Sequence, residues 1–337
     1  MENASTNLFQ ITEKRKRSYS PGIPDDAYEQ KNLIALGDLD SYSPEQWLKY
    51  FKIFTDPQNL DRNGIKKLRI AIIKQTLSLF RKQKWDYLAS DSNFLIEIDR
   101  NSCISRVKET KIINCAKNLS QFNSQQPKDS KQEKSKMEES HTNHNPDNEK
   151  HQDQDINNNT EVNNQKNDAD IFLIKGDCVE AAFKIKEIYP NYRVGMLDMA
   201  NAHTPGGGYL SGAGAQEENL HRRSNLHLYL DDPDKLCGKF INQQYPIPKY
   251  GGILCRDVLF FRSSEQTGYA LLSRPKTIDV IAVAAVAHPE TFQNSQDQQY
   301  YMQQSDAEIM EKKIISMFLM ALEAKIDALV LSSFGCG

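Results

Sequence analysis

The residues best suited to chemistry lie in one glycine-rich stretch. Residues 197–224 read LDMANAHTPGGGYLSGAGAQEENLHRRS. Gly206, Gly207 and Gly208 lack side chains, so their backbone can adopt positive φ angles and bring N–H groups against a ligand. N–H groups arranged in this way bind phosphate or pyrophosphate. The alternative is an ordinary turn formed by Pro205 and the three glycines.

Two acidic residues follow the glycines at the start of a predicted helix. Glu217 and Glu218 come directly after Gln216. Acidic residues in a first helical turn often only complement the helix dipole, which is one explanation for both. Beside a pyrophosphate loop, however, two carboxylates would reach the ribose of a nucleotide sugar. One could protonate a leaving oxygen while the other holds ribose hydroxyls near an oxocarbenium-like transition state.

Other catalytic arrangements find no support in the sequence. The dinucleotide pattern G-x-G-x-x-G fails at Ser211, and no clear acidic ribose ligand follows it. The sequence contains no zinc motif, P-loop or Ser-His-Asp order. We therefore expect neither a metal nor a cofactor. Arg222 and Arg223 either steer an anionic polymer toward the glycines or are simply solvated.

Three segments together resemble the signature of poly(ADP-ribose) glycohydrolases (PARGs), in particular the microbial-type branch. They are residues 198–201 (DMAN), residues 205–208 (PGGG) and, after seven further residues, residues 216–218 (QEE). The resemblance extends from about Arg62 to the last residue, apart from a polar insertion. It implies a macrodomain-like α/β fold, with three α/β/α layers, a mixed central sheet and accessory N-terminal helices.

The resemblance also implies a function and roles for individual residues. Glu218 would be the general acid that acts on ribose–ribose O-glycosidic bonds to release ADP-ribose, and Glu217 would bind ribose hydroxyls. Asn201 would position the terminal ribose and the catalytic loop, and Asp198 would lie deeper, at a strand end. Gln216 would either brace the loop or face solvent.

The resemblance further implies a diphosphate cradle. Residues 335–337 (GCG) look like the start of the family's second phosphate-binding loop, which continues further in the family, so part of the cradle is expected to be missing. A module that binds ADP-ribose without cleaving it, or a truncated inactive homologue, is therefore the alternative function. The residues expected to bind the diphosphate are Gly206, Gly207, Gly208, Tyr209, Gly335 and Gly337.

Composition divides the chain into four parts. Residues 1–35 are predicted to be a disordered polar tail, and residues 36–117 the N-terminal helical part of the catalytic domain. Residues 118–168 consist almost entirely of polar residues rich in Asn, Gln and Lys, and such composition predicts a disordered insertion. Residues 169–337 are predicted to form the macrodomain-like core, apparently truncated at its C-terminus.

Hydrophobic periodicity predicts the elements before the insertion. Ser43 and Pro44 are typical of a helix start. A second helix is predicted over residues 61–82, with Arg69 among the basic residues that face water, and residues 94–99 alternate like a strand. The predicted apolar face of the second helix is Ile65, Leu68, Ile72 and Leu79.

After the insertion the pattern alternates between strands and helices, which predicts an α/β core with parallel strands. The last two strands are apolar throughout, as in strands buried on both faces. The predicted elements are strands at 171–174, 194–199, 277–287 and 328–333 and helices at 178–189 and 310–324.

Charge and cysteine usage bear on partners and location. The 337 residues carry a formal net charge of −3 and six scattered cysteines without a C-x-x-C pair. These features indicate reduced thiols and give no basic field for nucleic acid. We expect a monomer inside the cell, nuclear or cytoplasmic, that binds poly(ADP-ribose), ADP-ribose and ADP-ribosylated proteins but neither nucleic acid nor membrane. Residues 14–17 (KRKR) are either an import signal or a solvated charge run.

Overall fold

The structure is a computed structural model that describes residues 43–88, 95–125, 169–238 and 244–336. No helix in these ranges is long and apolar enough to cross a membrane. Several predicted features lie outside the described residues: the tail at 1–35, the basic run at 14–17, most of the insertion at 118–168, Phe94 at the start of a predicted strand, and Gly337.

Two accessory helices begin the described chain. Helix α1 (Pro44–Phe54) starts with a capping box, in which the Ser43 hydroxyl accepts the Gln46 N–H at 3.2 Å and the Gln46 side chain accepts the Ser43 N–H at 3.3 Å. Helix α2 (Arg62–Arg81) is capped by Asp61. Both helix starts follow from local sequence.

Helix α2 buries the predicted face, with Ile65, Leu68 and Ile72 each less than 9% exposed. The prediction that Arg69 faces water is wrong. Its guanidinium pairs with Glu265, at 2.9 and 2.8 Å, and its side chain is only 20% exposed. The pairing joins residues far apart in the chain, so helical periodicity could not reveal it.

The next segment contains strands as well as helices. Strands β1 (Lys84–Leu88) and β2 (Leu95–Asp99) pair antiparallel, and helix α3 (Arg100–Val107), strand β3 (Lys111–Asn114) and helix α4 (Ala116–Gln125) follow. The predicted start of the insertion at residue 118 is therefore too early. Leu119, 4% exposed, anchors α4 in the core next to the central sheet.

The central sheet has five strands, in the order β3, β5 (Gly251–Arg262), β6 (Leu271–Val283), β4 (Val194–Met199) and β9 (Ala328–Val330). Strand β4 lies between β6 and β9 and is parallel to both, whereas β5 is antiparallel to β3 and β6. The sheet is therefore mixed. The helices of this part of the chain are α5 (Cys178–Ile188), α6 (Gln216–Arg223), α7 (His227–Leu230) and α8 (Gln304–Glu323).

Helices cover both faces of the sheet. Met196 of β4 packs in a core cluster with Val179 of α5, while the next residue, Leu197, packs in a second cluster with Met317 and Met320 of α8. Adjacent residues of a strand point to opposite faces, so β4 is buried on both sides. This arrangement gives the three α/β/α layers.

Two core predictions differ from the structure. Residues 171–174 form no strand, and their side chains are 59–102% exposed, because they pair with no strand in the described parts of the chain. Strand β6 begins at Leu271 and ends at Val283, not at 277 and 287. A short hairpin of β7 (Thr291–Gln293) and β8 (Tyr300–Met302) was not predicted.

Candidate active site

The glycine-rich segment leaves the carboxyl end of β4, where ligands of parallel sheets bind. The Asn201 carboxamide oxygen accepts the N–H groups of His203 and Thr204, at 2.9 and 2.8 Å. The Gly207 N–H then donates to the Thr204 carbonyl at 3.0 Å. Asn201 thus shapes the loop by folding it back immediately after the strand.

Gly207 must be a glycine for two separate reasons. Its φ angle is +55°, a conformation that side chains disfavour. A Cβ at this position would lie 2.7 Å from Glu218 Oε1 and 2.8 Å from Glu217 Oε2. The absence of a side chain therefore lets the backbone lie directly against both carboxylates.

Each glutamate is held by one oxygen and leaves the other without a partner. Glu218 Oε1 accepts the Gly208 N–H at 2.9 Å, and Glu217 Oε2 accepts the Asn201 N–H at 2.9 Å. Glu218 Oε2 and Glu217 Oε1 are buried and bond to no group in the described chain. Buried polar atoms are normally paired, so these two oxygens lack a partner that the described chain does not supply.

A third carboxyl group lies next to the pair. Asp198 of β4 is completely buried, and neither of its oxygens has a hydrogen-bond partner among the described residues. Burial, and then the charge of Glu218, raises the pKa of Asp198. Burial, and then the charge of Asp198, also raises the pKa of Glu217, although the Asn201 N–H opposes the change. Such a cluster keeps a proton near neutral pH.

Gln216 fastens helix α6 to the end of β4 rather than facing solvent. Its Oε1 accepts the Met199 N–H at 2.9 Å, and its Nε2 donates to the Leu197 carbonyl at 2.6 Å. The carboxamide therefore pairs with the strand backbone, and this fixes where the next two residues project. Within the described ranges, no group of three His, Cys, Asp or Glu residues is placed to hold a metal ion.

Comparison with known protein families agrees with the resemblance found in the sequence. Residues 100–263 match the family model described as microbial-type PARG, catalytic domain. The match covers just under half of the chain. The matched segment includes the glycine loop and all three carboxyl groups, whereas α8 and β9 lie beyond it. None of the curated proteins matches the chain.

Solved structures show the fold of the chain. The poly(ADP-ribose) glycohydrolase of Thermomonospora curvata is 19% identical, covers 80% of each chain and superposes with a TM-score of 0.51. The same protein bound to the inhibitor ADP-HPD gives a TM-score of 0.50 at the same identity and coverage. The macrodomain-like fold expected from the sequence is confirmed.

Tyr209 lies behind the glycine loop. Its side chain is 1% exposed, and its hydroxyl donates to Asp231 at 2.6 Å. Only its backbone can therefore contribute to a diphosphate site. The ring contacts His221, with 4.7 Å between centroids.

His221 was not singled out from the sequence. Its Nδ1 donates to the Glu217 carbonyl at 2.9 Å, and burial lowers its pKa to about 4, so the ring is neutral. A Cβ on Gly206 would lie 2.7 Å from His221 Nε2. His221 therefore packs beneath the loop. Its spacing of four residues from Glu217 on one helix was the available signal.

In the described chain, the remaining predicted residues make no hydrogen bond to the three carboxyl groups. Gly335 follows β9 with a φ angle of +79° and lies against Met310. Both expectations for Arg222 and Arg223 are wrong, because their side chains are fully buried. Arg222 donates to the Tyr269 hydroxyl and the Ala213 carbonyl, both at 2.8 Å, and Arg223 donates to Asp177 and Glu180, both at 2.8 Å.

Proposed function

We propose that the chain hydrolyses ribose–ribose O-glycosidic bonds of poly(ADP-ribose) and releases ADP-ribose. One observation carries the proposal. Glu217 and Glu218 are each fixed through one oxygen by a backbone N–H, and each leaves a buried second oxygen free beside a glycine loop. Paired carboxyl groups of this kind suit the cleavage of a glycosidic bond.

In the proposed hydrolysis, the polymer, one water molecule and Glu218 account for every bond and proton. Protonated Glu218 donates its proton to the ribose oxygen that leaves, and the C–O bond breaks as positive charge develops on the other ribose. Water attacks that carbon, and the Glu218 carboxylate takes a proton from the water. The Gly208 N–H fixes Glu218 Oε1, so Oε2 is the oxygen that exchanges the proton.

The neighbouring groups support that step. Glu217 binds ribose hydroxyls through its free Oε1, and the glycine loop binds the diphosphate through backbone N–H groups. Asp198 lies beneath the pair, and its raised pKa favours a proton in the cluster at neutral pH. The assignment of the acid to Glu218 rather than Glu217 rests on the PARG signature, because both are similarly buried.

The Glu218→Gln variant tests the proposal. We expect ADP-ribose release from purified poly(ADP-ribose) to fall by about 10²–10⁴-fold, the usual contribution of a general acid. Binding of ADP-ribose, measured by calorimetry, should be largely retained because the amide keeps the size of the carboxyl group. Equal release by the wild-type chain and the variant would refute the role of Glu218. Binding by the wild-type chain with no release would favour the binding module.

Partners and location are proposed from the sequence. We propose ADP-ribosylated proteins as physiological substrates, a monomeric state, no binding to nucleic acid and a nuclear or cytoplasmic location. Light scattering tests the oligomeric state. Microscopy of a tagged chain with residues 14–17 intact or replaced by Gln tests whether the basic run directs import.

A further inference from the structure

Arg69 of helix α2 is a charged residue beside the glycine-rich segment, and the proposed mechanism gives it no role. Its Nε and Nη2 bind the two Glu265 oxygens at 2.9 and 2.8 Å. The Tyr269 hydroxyl also donates to Glu265, at 2.8 Å. The guanidinium is thus held in one orientation through two of its three nitrogens.

The third nitrogen lies against the catalytic loop. A Cβ on Gly214 would be 2.1 Å from Arg69 Nη1 and 2.4 Å from its Cζ, so the guanidinium rests on this glycine. Gly214 has no positive φ angle, in contrast to Gly212 two residues earlier. A side chain at position 214 would therefore clash with Arg69, although the backbone conformation at that position would allow one.

The Arg69 side chain is also partly exposed, at 20%. Gly214 is exposed, and no hydrogen-bond acceptor for Nη1 is present in the described chain. Glu218 contributes to the electrostatic environment of Arg69. A fixed positive charge with a free donor therefore lies on the rim of the site, on the side of the loop that faces α2.

We propose that Arg69 binds a phosphate of the polymer unit across the scissile bond from the ADP-ribose that is released. The inference rests on the proposed function and deepens it. Every repeat of poly(ADP-ribose) carries a pyrophosphate, and one unit occupies the glycine loop while the next continues past the glutamates. A preoriented guanidinium is well suited to a phosphate. Arg69 therefore favours polymer over free ADP-ribose.

The test measures binding in a Glu218→Gln background, so it does not depend on cleavage. We expect Arg69→Gln to weaken binding of long poly(ADP-ribose) chains about tenfold, the size of one hydrogen bond to a charged group. Free ADP-ribose should bind with unchanged affinity. Lys67→Gln, which removes an exposed charge from the same helix, should leave both affinities unchanged.

Two further variants separate phosphate binding from a structural role. Arg69→Lys keeps the charge and should recover part of the polymer affinity. Glu265→Gln loosens the anchor but keeps Arg69, and should weaken polymer binding less than Arg69→Gln does. Equal losses for polymer and ADP-ribose in Arg69→Gln would overturn the proposal, as would unchanged polymer binding. The same holds if Glu265→Gln matches Arg69→Gln and lysine recovers nothing.

Discussion

Two buried aspartates on neighbouring parallel strands have opposite surroundings. Asp279 of β6 accepts hydrogen bonds from Arg193 at 2.7 Å, from Arg256 at 2.8 Å and from the Asp257 N–H at 2.9 Å. Asp198 of β4 accepts none from the described residues. Asp279 pairs with Gly195, so the two aspartates lie three positions apart along the sheet, roughly 10 Å.

The difference separates a carboxylate that stabilises the fold from one that we propose serves the ligand site. A buried charge is tolerated when it is paired, as Asp279 is. A buried carboxyl group without partners costs stability and persists where it serves a site. Asp198 is at the carboxyl end of the parallel strands, the end where α/β sheets bind ligands.

The largest expected effect is a loss of activity after a substitution in the glycine loop. Gly207→Ala should reduce ADP-ribose release at least about 100-fold, because the methyl group would displace both glutamates and small misplacements are costly. Gly238→Ala is the matched control. Its φ angle is also positive, at +79°, but a methyl group there meets nothing within 4 Å in the described chain. Comparable loss of release in both variants would assign the effect to backbone strain.

At the opposite end of the sheet the main effect should be on stability. Asp279→Ala should lower the free energy of unfolding by about 3 kcal/mol, because it leaves two arginines and a backbone N–H without their acceptor. Urea denaturation measures this change. ADP-ribose affinity of the folded protein should be unchanged, and a specific loss of affinity would show that Asp279 also serves the ligand site.

The pH dependence of the free energy of unfolding also tests the contrast between the unpaired Asp198 and the paired Asp279. Between pH 6.5 and 8, Asp198 and Glu217 with raised pKa values bind more protons in the native than in the unfolded state. Stability should therefore fall as pH rises, by up to about 1.4 kcal/mol per pH unit for each group. His221 and His227, with pKa values lowered to about 4 and 3, oppose this fall up to about pH 7, because the unfolded chain protonates them near the ordinary histidine pKa of about 6.5. Glu217→Gln should flatten the fall, and an unchanged slope would contradict the shifted pKa.

A smaller effect is expected at the junction of β4 and α6. Gln216→Ala removes the partners of the Leu197 carbonyl and the Met199 N–H, which should cost about 1–2 kcal/mol of unfolding free energy. Release of ADP-ribose should also fall, since α6 carries both glutamates. Thermal unfolding and the release assay check the two effects. Full activity would show that the loop alone positions the carboxylates.

Sequence reasoning succeeded where the signal was local. The start of α1, the extent and apolar face of α2 and the spacing from the glycines to Glu218 all lie within short segments. The fold class also followed, because the alternation of apolar runs and amphipathic helices is typical of α/β layers.

Sequence reasoning failed where the burial or pairing of a residue depends on a partner far along the chain. Arg69 was expected in water but binds Glu265, 196 positions away. Arg223 looked solvated but is neutralised by two acidic groups at α5. Residues 171–174 have strand composition, yet composition does not supply a neighbouring strand with free hydrogen-bonding groups.

The Asp198→Asn variant tests the central claim most directly, with unfolding free energy and ADP-ribose release measured at pH 8 on one preparation. Asparagine removes a buried carboxyl group that has no partner in the described chain. The account predicts unchanged or higher stability together with a marked loss of release. Lower stability with release retained would contradict it, because Asp198 would then be a structural residue like Asp279.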